Sequence, residues 1–305
     1  MESIDTKTLP RNSITPQLPR RFQMNLDWIG LLPFFAFVAV FLLFPALSIV
    51  VRSVTDAAGT PTWANVEAML RESVIAQAYR STIQVSIITA ISGALIGGLL
   101  AWAITLGGLP GWIRGTVLSF SGVAANFAGV PLVFAFVALL GRVGLLNQFL
   151  PFESRIDPQT FLYSFWGLCI VYTYFQIPLM VLIITPALDG LRKEWREAAE
   201  NLGASQTQYW RYVGLPILMP SILGAMALLF ANAFSTYVTA TALLGAMGQT
   251  FAVTIVVANQ FRTDTFGNAG LGFALATSMM LVIAVTIMVY TYSRRRAERW
   301  LRRSE

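Results

Sequence analysis

Histidine is absent from the 305 residues of this chain, and cysteine occurs once, as Cys169. Together these absences exclude an intrachain disulfide, a Cys/His metal site and every catalytic triad that needs an imidazole. Charge is scarce as well: Asp, Glu, Lys and Arg make up 12% of the residues, where soluble domains carry about 25%. No G-x-x-x-x-G-K-[ST] run is present, so the chain has no loop of its own to cradle ATP phosphates. Cys169 lies in an apolar run and reads as a small membrane-core residue. What fills the chain instead is hydrophobic, 56% of it, with a mean hydropathy of +0.64. Its unit of organisation is therefore the membrane-spanning helix of about 20 apolar residues.

Six stretches free of Asp, Glu, Lys and Arg lie within 28–51, 81–113, 115–141, 160–188, 212–261 and 265–293. Lipid offers backbone groups no hydrogen-bond partner, so runs of this length are read as helices. The run 212–261 is long enough for two spans. Gly245, Gly248 and Gln249-Thr250 interrupt it, and we read one span at about 217–242, followed by an apolar extracytoplasmic segment containing Phe251–Phe261. With six spans and the N-terminus inside, 15 Lys and Arg fall on the inner side and 6 on the outer. A seventh span would place the basic run Arg294–Arg303 outside, against the positive-inside rule. This placement accounts for the net charge of +6 without nucleic acid. Residues 1–26, polar and with three prolines, read as a flexible cytosolic tail. Residues 27–293 form the membrane domain, and 294–305 a basic cytosolic tail. That tail reads as a topology anchor, with a lipid- or nucleic-acid-binding patch as the alternative.

The charged loop between the fourth and fifth spans is the most informative segment. Leu188, Leu191, Trp195, Ala198 and Leu202 recur at three- and four-residue spacing and predict one amphipathic helix over 187–202. Gly203 stands where a left-handed residue closes such a helix. Ser205-Gln206-Thr207-Gln208 fits a capping box, so a second helix is predicted to start at Ser205. Pro216 and Pro220 mark the return to the membrane. An ordinary amphipathic hairpin lying on the bilayer has the same spacing.

Glu197-Ala198-Ala199, Gly203-Ala204 and Val213-Gly214-Leu215-Pro216 together resemble the EAA loop of ATP-binding-cassette importer permeases, with Val213 where isoleucine is usual. The likeness extends to Gly141-Arg142-Val143-Gly144-Leu145-Leu146-Asn147, Tyr174-Phe175-Gln176-Ile177-Pro178 and Tyr237-Val238-Thr239, and it covers Trp28 to Tyr292. The resemblance implies an all-α membrane protein with the six-helix type I importer permease fold, both termini cytosolic, in the bacterial inner membrane. It implies a chain that hydrolyses nothing itself and carries no cofactor, ATP being bound by a partner ATPase dimer. The coupling loop 187–216 would dock on that ATPase through Glu197, Ala198, Ala199, Gly203, Ala204, Leu215 and Pro216. A second permease, identical or different, and an extracytoplasmic solute-binding protein complete the implied set of partners, with membrane lipid around them. Polyamine, Fe(III), thiamine and organophosphonate are the implied solutes.

Polar residues inside the spans either hold helices together or line a pathway. Gln176, Asn232, Ser235, Thr236 and Tyr237 are the pathway candidates, the last four grouped near the middle of the expected fifth span. Gly93 and Gly97 form G-x-x-x-G and predict close helix packing. Pro33, Pro45, Pro131 and Pro178 are expected to kink helices. The rival reading, a secondary transporter or another multi-spanning protein, is disfavoured because no span carries an ionisable Asp, Glu, Lys, Arg or His. A membrane enzyme is disfavoured by the missing histidine.

Overall fold

The computed structural model describes residues 27–56, 58–149, 157, 161–245, 251–261 and 268–302, with side chains from Leu31 to Tyr292. The expected tail 1–26, Arg155, Gly248, Gln249-Thr250 and Arg262 lie outside these residues. Among the described residues there is no β-strand, only an isolated bridge between Thr55 and Pro61. Six segments are long and apolar enough to cross a membrane: Leu31–Ser53, Ser73–Leu106, Val130–Phe149, Phe165–Asp189, Gln206–Ser235 and Ala269–Tyr292.

The chain divides into two compact units, one ending at Ser48 and one beginning at Ile49. In the first, helix α1 (Asp27–Val38) continues through a π turn, Ala39–Leu43, into α2 (Phe44–Ser53), whose residues from Ile49 on belong to the second. Pro45 lacks the N–H that would continue the ordinary ladder, and Phe44 N–H donates to the Ala39 carbonyl five residues back. The apolar side chains of this segment are exposed on every side, among them Phe34, Phe37, Phe41 and Leu42.

The second unit is built on α4 (Ser73–Leu106) and α8 (Phe165–Asp189), packed against α11 (Leu215–Ser235). Glycines let α4 approach. A Cβ at Gly93 would lie 2.6 Å from Gln176 Cβ, and one at Gly97 would lie 2.5 Å from the Ile177 carbonyl oxygen. The predicted G-x-x-x-G packing is therefore present, directed at α8. α14 (Ala269–Arg302) lies against α11 and against α3 (Ala64–Arg71).

Several expected boundaries move. The second span starts at Ser73 and so takes in Arg80, which stays exposed near its N-terminal end. The expected third span, 115–141, is divided into α5 (Gly111–Asn126) and α6 (Val130–Leu140). Pro131 stands in the first turn of α6, where its missing N–H costs nothing, so it starts a helix and does not kink one. Pro178 lies within the continuous α8. The basic segment from Arg294 is no separate tail up to Arg302, because α14 runs through it unbroken.

The turn after α6 behaves as its spacing suggests. The Gly141 carbonyl accepts from Gly144 N–H at 2.8 Å and from the buried Asn147 Nδ2 at 3.0 Å. A Cβ at Gly144 would sit 2.7 Å from the Leu139 carbonyl oxygen. The turn leads into the short α7 (Leu145–Phe149).

Candidate functional site

Two regions of the second unit carry candidate function: the elbow between α8 and α11, and a pair of helix breaks.

At the elbow α8 ends at Asp189, and α9 (Lys193–Asn201) follows after Gly190–Arg192. The single helix expected over 187–202 is thus two pieces, and Leu188 belongs to the membrane span, where it is buried. Arg114 Nη2 holds Asp189 at 2.6 Å, tying the start of α5 to the end of α8. No residue of α9 is buried. Of the predicted apolar stripe, Leu188 and Leu191 join the core, whereas Trp195, Ala198 and Leu202 (89% exposed) stay uncovered among the described residues.

The turn itself is tightly built. Gly203 has φ +78°, Gly203 N–H donates to the Glu200 carbonyl at 2.9 Å, and Ala204 N–H donates to the Ala199 carbonyl at 3.0 Å. This pair of bonds is a Schellman closure, which requires a left-handed residue at the glycine position. Ala199 and Ala204 thus act through their backbone. Ser205 Oγ accepts from Gln208 N–H at 3.3 Å while Gln208 Oε1 accepts from Ser205 N–H at 2.7 Å, the predicted capping box.

The helix predicted to start at Ser205 is present and does not end before the membrane. α10 (Gln206–Tyr209) passes through a π turn, Trp210–Gly214, directly into α11. Leu215 N–H donates to the Trp210 carbonyl, and Pro216 lacks the next N–H, the same arrangement as around Pro45. A Cβ on Gly214 would lie 2.8 Å from Trp210 Cε3. Gly214 therefore lets the Trp210 ring fold against the turn and meet Trp102 edge-on at 6.2 Å. The Gly-Leu-Pro part of the motif thus lies where α10 runs into the fifth span without a break in the helix. Glu197, in the middle of α9, is exposed with no ion-pair partner among the described residues.

The second region joins α5–α6 to α11–α12, where α12 is Val238–Leu244. The expected span 217–242 stops at Ser235, so Asn232, Ser235, Thr236 and Tyr237 lie at a helix end and not at mid-helix. Long-range bonds hold that end open. The Thr236 carbonyl accepts from Tyr172 Oη at 3.1 Å and from Thr254 Oγ1 at 3.3 Å, while Thr236 Oγ1 donates to the Asn232 carbonyl at 2.6 Å. The break after Asn126 faces it: Gly129 N–H donates to Thr239 Oγ1 at 3.0 Å. Gly129 has φ +72°, conformational space that suits glycine. Asn126, Ser235 and Tyr237 are exposed around the two breaks.

Gln176 does not share that exposure. It is 0% exposed; its Nε2 donates to the Leu229 carbonyl at 2.6 Å, and its Oε1 accepts from Asn232 Nδ2 at 3.3 Å. Gln176 clasps α8 to α11, and its reading as a pathway residue is corrected to an interhelical one. Asn232 is shared between that clasp and the helix end.

The sequence of residues 100–299, well over half of the chain, matches the family described as binding-protein-dependent transport system inner membrane component. The chain belongs to that family. It is a multi-pass inner-membrane permease of an ATP-binding-cassette importer, a transport component and not an enzyme. Among its relatives is the sulfate transport system permease protein CysT of Salmonella typhimurium, 26% identical over 263 residues, covering 85% of this chain and 91% of that one. Another is the spermidine/putrescine transport system permease protein PotB of Salmonella typhimurium, 25% identical over 214 residues, covering 70% and 72%. A crystal structure of a bacterial alginate ABC transporter, in complex with an alginate pentasaccharide-bound periplasmic protein, shares the fold with a TM-score of 0.70. That chain is 16% identical, with 89% of this permease and 94% of it covered.

Of the residues that make the breaks meet, sequence reasoning about the permease missed Gly129, Tyr172 and Thr254, and it met Thr239 only within the family likeness. The run Ala128-Gly129-Val130-Pro131 carried a usable signal, because a glycine followed by proline at helix position two marks a restart. Nothing local marked Tyr172 or Thr254.

Proposed function

We propose that this permease docks on a separate ATPase through the Glu197–Ala204 elbow and passes solute between the two helix breaks. The observation carrying this reading is the contrast at the elbow: a turn closed by two backbone bonds and a capping box presents a helix with no buried residue. A rigid, uncovered apolar and charged face is a surface built for a partner. ATP is bound and hydrolysed by that ATPase pair, a second permease completes the membrane pore, and a binding protein delivers solute from the opposite side. Closure of the ATPases moves α10 and α11 as one body, a switching mode in which packed elements shift rigidly. Both termini and the elbow are cytosolic in this reading.

The breaks supply the pathway because irregular backbone at membrane depth is tolerated where protein or a water-filled cavity satisfies it. The groups exposed there, Asn126, Ser235 and Tyr237, are neutral. Relatives are named for sulfate and for spermidine or putrescine, solutes of opposite charge, and a neutral lining suits a pathway that leaves selection to the binding protein.

Two tests apply. In a Cys169→Ala background, Val143→Cys, whose wild-type side chain is 87% exposed, is expected to react with an impermeant thiol reagent in intact spheroplasts, and Leu202→Cys is not. In the purified assembly the Leu202→Cys thiol cross-links to the ATPase. Labelling of Leu202→Cys from outside, or no cross-link, ends the docking reading. For the pathway, Ser235→Trp places a bulky ring at the mouth of the breaks. Uptake should fall at least tenfold while solute-independent ATPase turnover persists; loss of both activities would assign Ser235 to helix packing instead.

A further inference from the structure

Two cavities of the second unit meet beneath the elbow. The first, about 490 Å³, lies between the end of α4 and the α9–α10 turn, and Arg192, Lys193, Arg196, Glu197 and Glu200 are among its lining residues. The second, about 380 Å³, is an almost wholly apolar groove along α4, α8 and α11, running from Ile91 to Trp102 on α4. Trp102 and Trp210 line both, so the groove opens into the charged cavity at an edge-on pair of tryptophans. The eleven helical steps from Ile91 to Trp102 span about 16 Å, close to one leaflet of a hydrocarbon core of about 30 Å. Tryptophan is enriched at the headgroup level of membrane proteins.

The charges are unequal in availability. Arg196 is held by Glu200 at 2.9 Å, and Arg114 by Asp189 at 2.6 Å. Arg192 lies over the Trp195 ring, and neither it nor Lys193 is committed to a carboxylate among the described residues. Glu197 is the one uncommitted carboxylate of the cavity, so the free balance is cationic. Thr105, also in the lining, has a hydroxyl without a hydrogen-bond partner among the described residues.

We infer that this paired cavity binds an anionic phospholipid, with its headgroup on Arg192 and Lys193 and an acyl chain in the groove beside Gly98. A one-leaflet apolar trough capped by free cations at an aromatic boundary complements that molecule in length, polarity and charge. The assignment of the headgroup to the inner leaflet rests on the proposed cytosolic elbow; the binding itself does not. The lipid would brace the elbow against α4 and so influence how firmly it is held.

The test uses the purified full-length permease, exposed in turn to dioleoylphosphatidylglycerol and dioleoylphosphatidylcholine and read by native mass spectrometry. Wild type is expected to retain at least tenfold more phosphatidylglycerol than phosphatidylcholine. Arg192→Gln with Lys193→Gln should remove the preference. Gly98→Trp should reduce retention of both lipids, since a Cβ at Gly98 makes only an ordinary 3.7 Å contact with Met180 Cε and the added ring occupies the groove. Equal retention of the two lipids by wild type, or unchanged retention in either variant, overturns the inference. A Leu99→Cys cross-link to residues 31–53 of a second copy overturns it too, by assigning the groove to protein. Thiol labelling of Leu202→Cys reports on sidedness separately, so failure of the elbow's orientation is not confused with failure of lipid binding.

Discussion

Glu197→Arg is expected to abolish co-purification of the ATPase and transport with it, while the permease still inserts and folds. Glu197 is exposed in the middle of α9 and contributes no ion pair within the described chain, so reversing its charge breaks no internal ion pair. Across an interface the change replaces attraction by repulsion. Close interfacial charge pairs carry coupling energies of about 1.5–7 kcal/mol, and about 1.4 kcal/mol is tenfold in affinity, so docking should weaken tenfold at the least. A second series at Gly203 tests the turn independently of charge. A Cβ there meets nothing within 4 Å, so Gly203→Ala costs only the left-handed backbone, about 1–2 kcal/mol. Gly203→Pro cannot reach φ +78° and also loses the bond to the Glu200 carbonyl. The expected order of ATPase retention and uptake is wild type, then Ala, then Pro. Full retention in both Glu197→Arg and Gly203→Pro would refute the elbow.

Gly97→Leu is expected to prevent the permease from accumulating, because its side chain would be driven into the backbone of α8. The neighbouring glycine gives the control. At Gly97 even a methyl group would lie 2.5 Å from the Ile177 carbonyl oxygen and 2.8 Å from Met180 Cβ, whereas at Gly98 the nearest atom is 3.7 Å away, at the end of a flexible methionine. Alanine is favoured over glycine inside a helix by about 1 kcal/mol, and overpacking costs about 1–3 kcal/mol. Gly98→Ala should therefore raise the thermal midpoint of the purified permease slightly, and Gly97→Ala should lower it. Equal shifts of the same sign would mean that α4 and α8 are not packed through Gly97.

The correspondence between sequence and structure differs by feature, for reasons that are physical. The Schellman turn and capping box were legible because every group involved lies between Ala199 and Gln208. The number of spans was legible because lipid demands length and low polarity of each one separately. The amphipathic stripe was legible as periodicity, but its burial was not, because Trp195 and Leu202 have no partner surface within this chain. Gln176 looked like a polar residue in search of solvent, and became a clasp because Leu229 and Asn232 arrive from more than fifty residues away.

By itself, the sequence determined that this is a helical membrane protein with six apolar spans, and it placed the Gly203 turn and the Ser205 cap to the residue. Composition and local capping decide those properties, and both act over a few turns of helix. Only the tertiary structure decided where the third and fifth spans break. The end of α11 is held open by Tyr172, 64 residues before Thr236, and by Thr254, 18 residues after it. The facing break at Gly129 is pinned by Thr239, 110 residues on. A run of apolar residues with scattered hydroxyls permits a continuous helix, and it stops being one when distant side chains take up the carbonyl and N–H groups that the interruption frees.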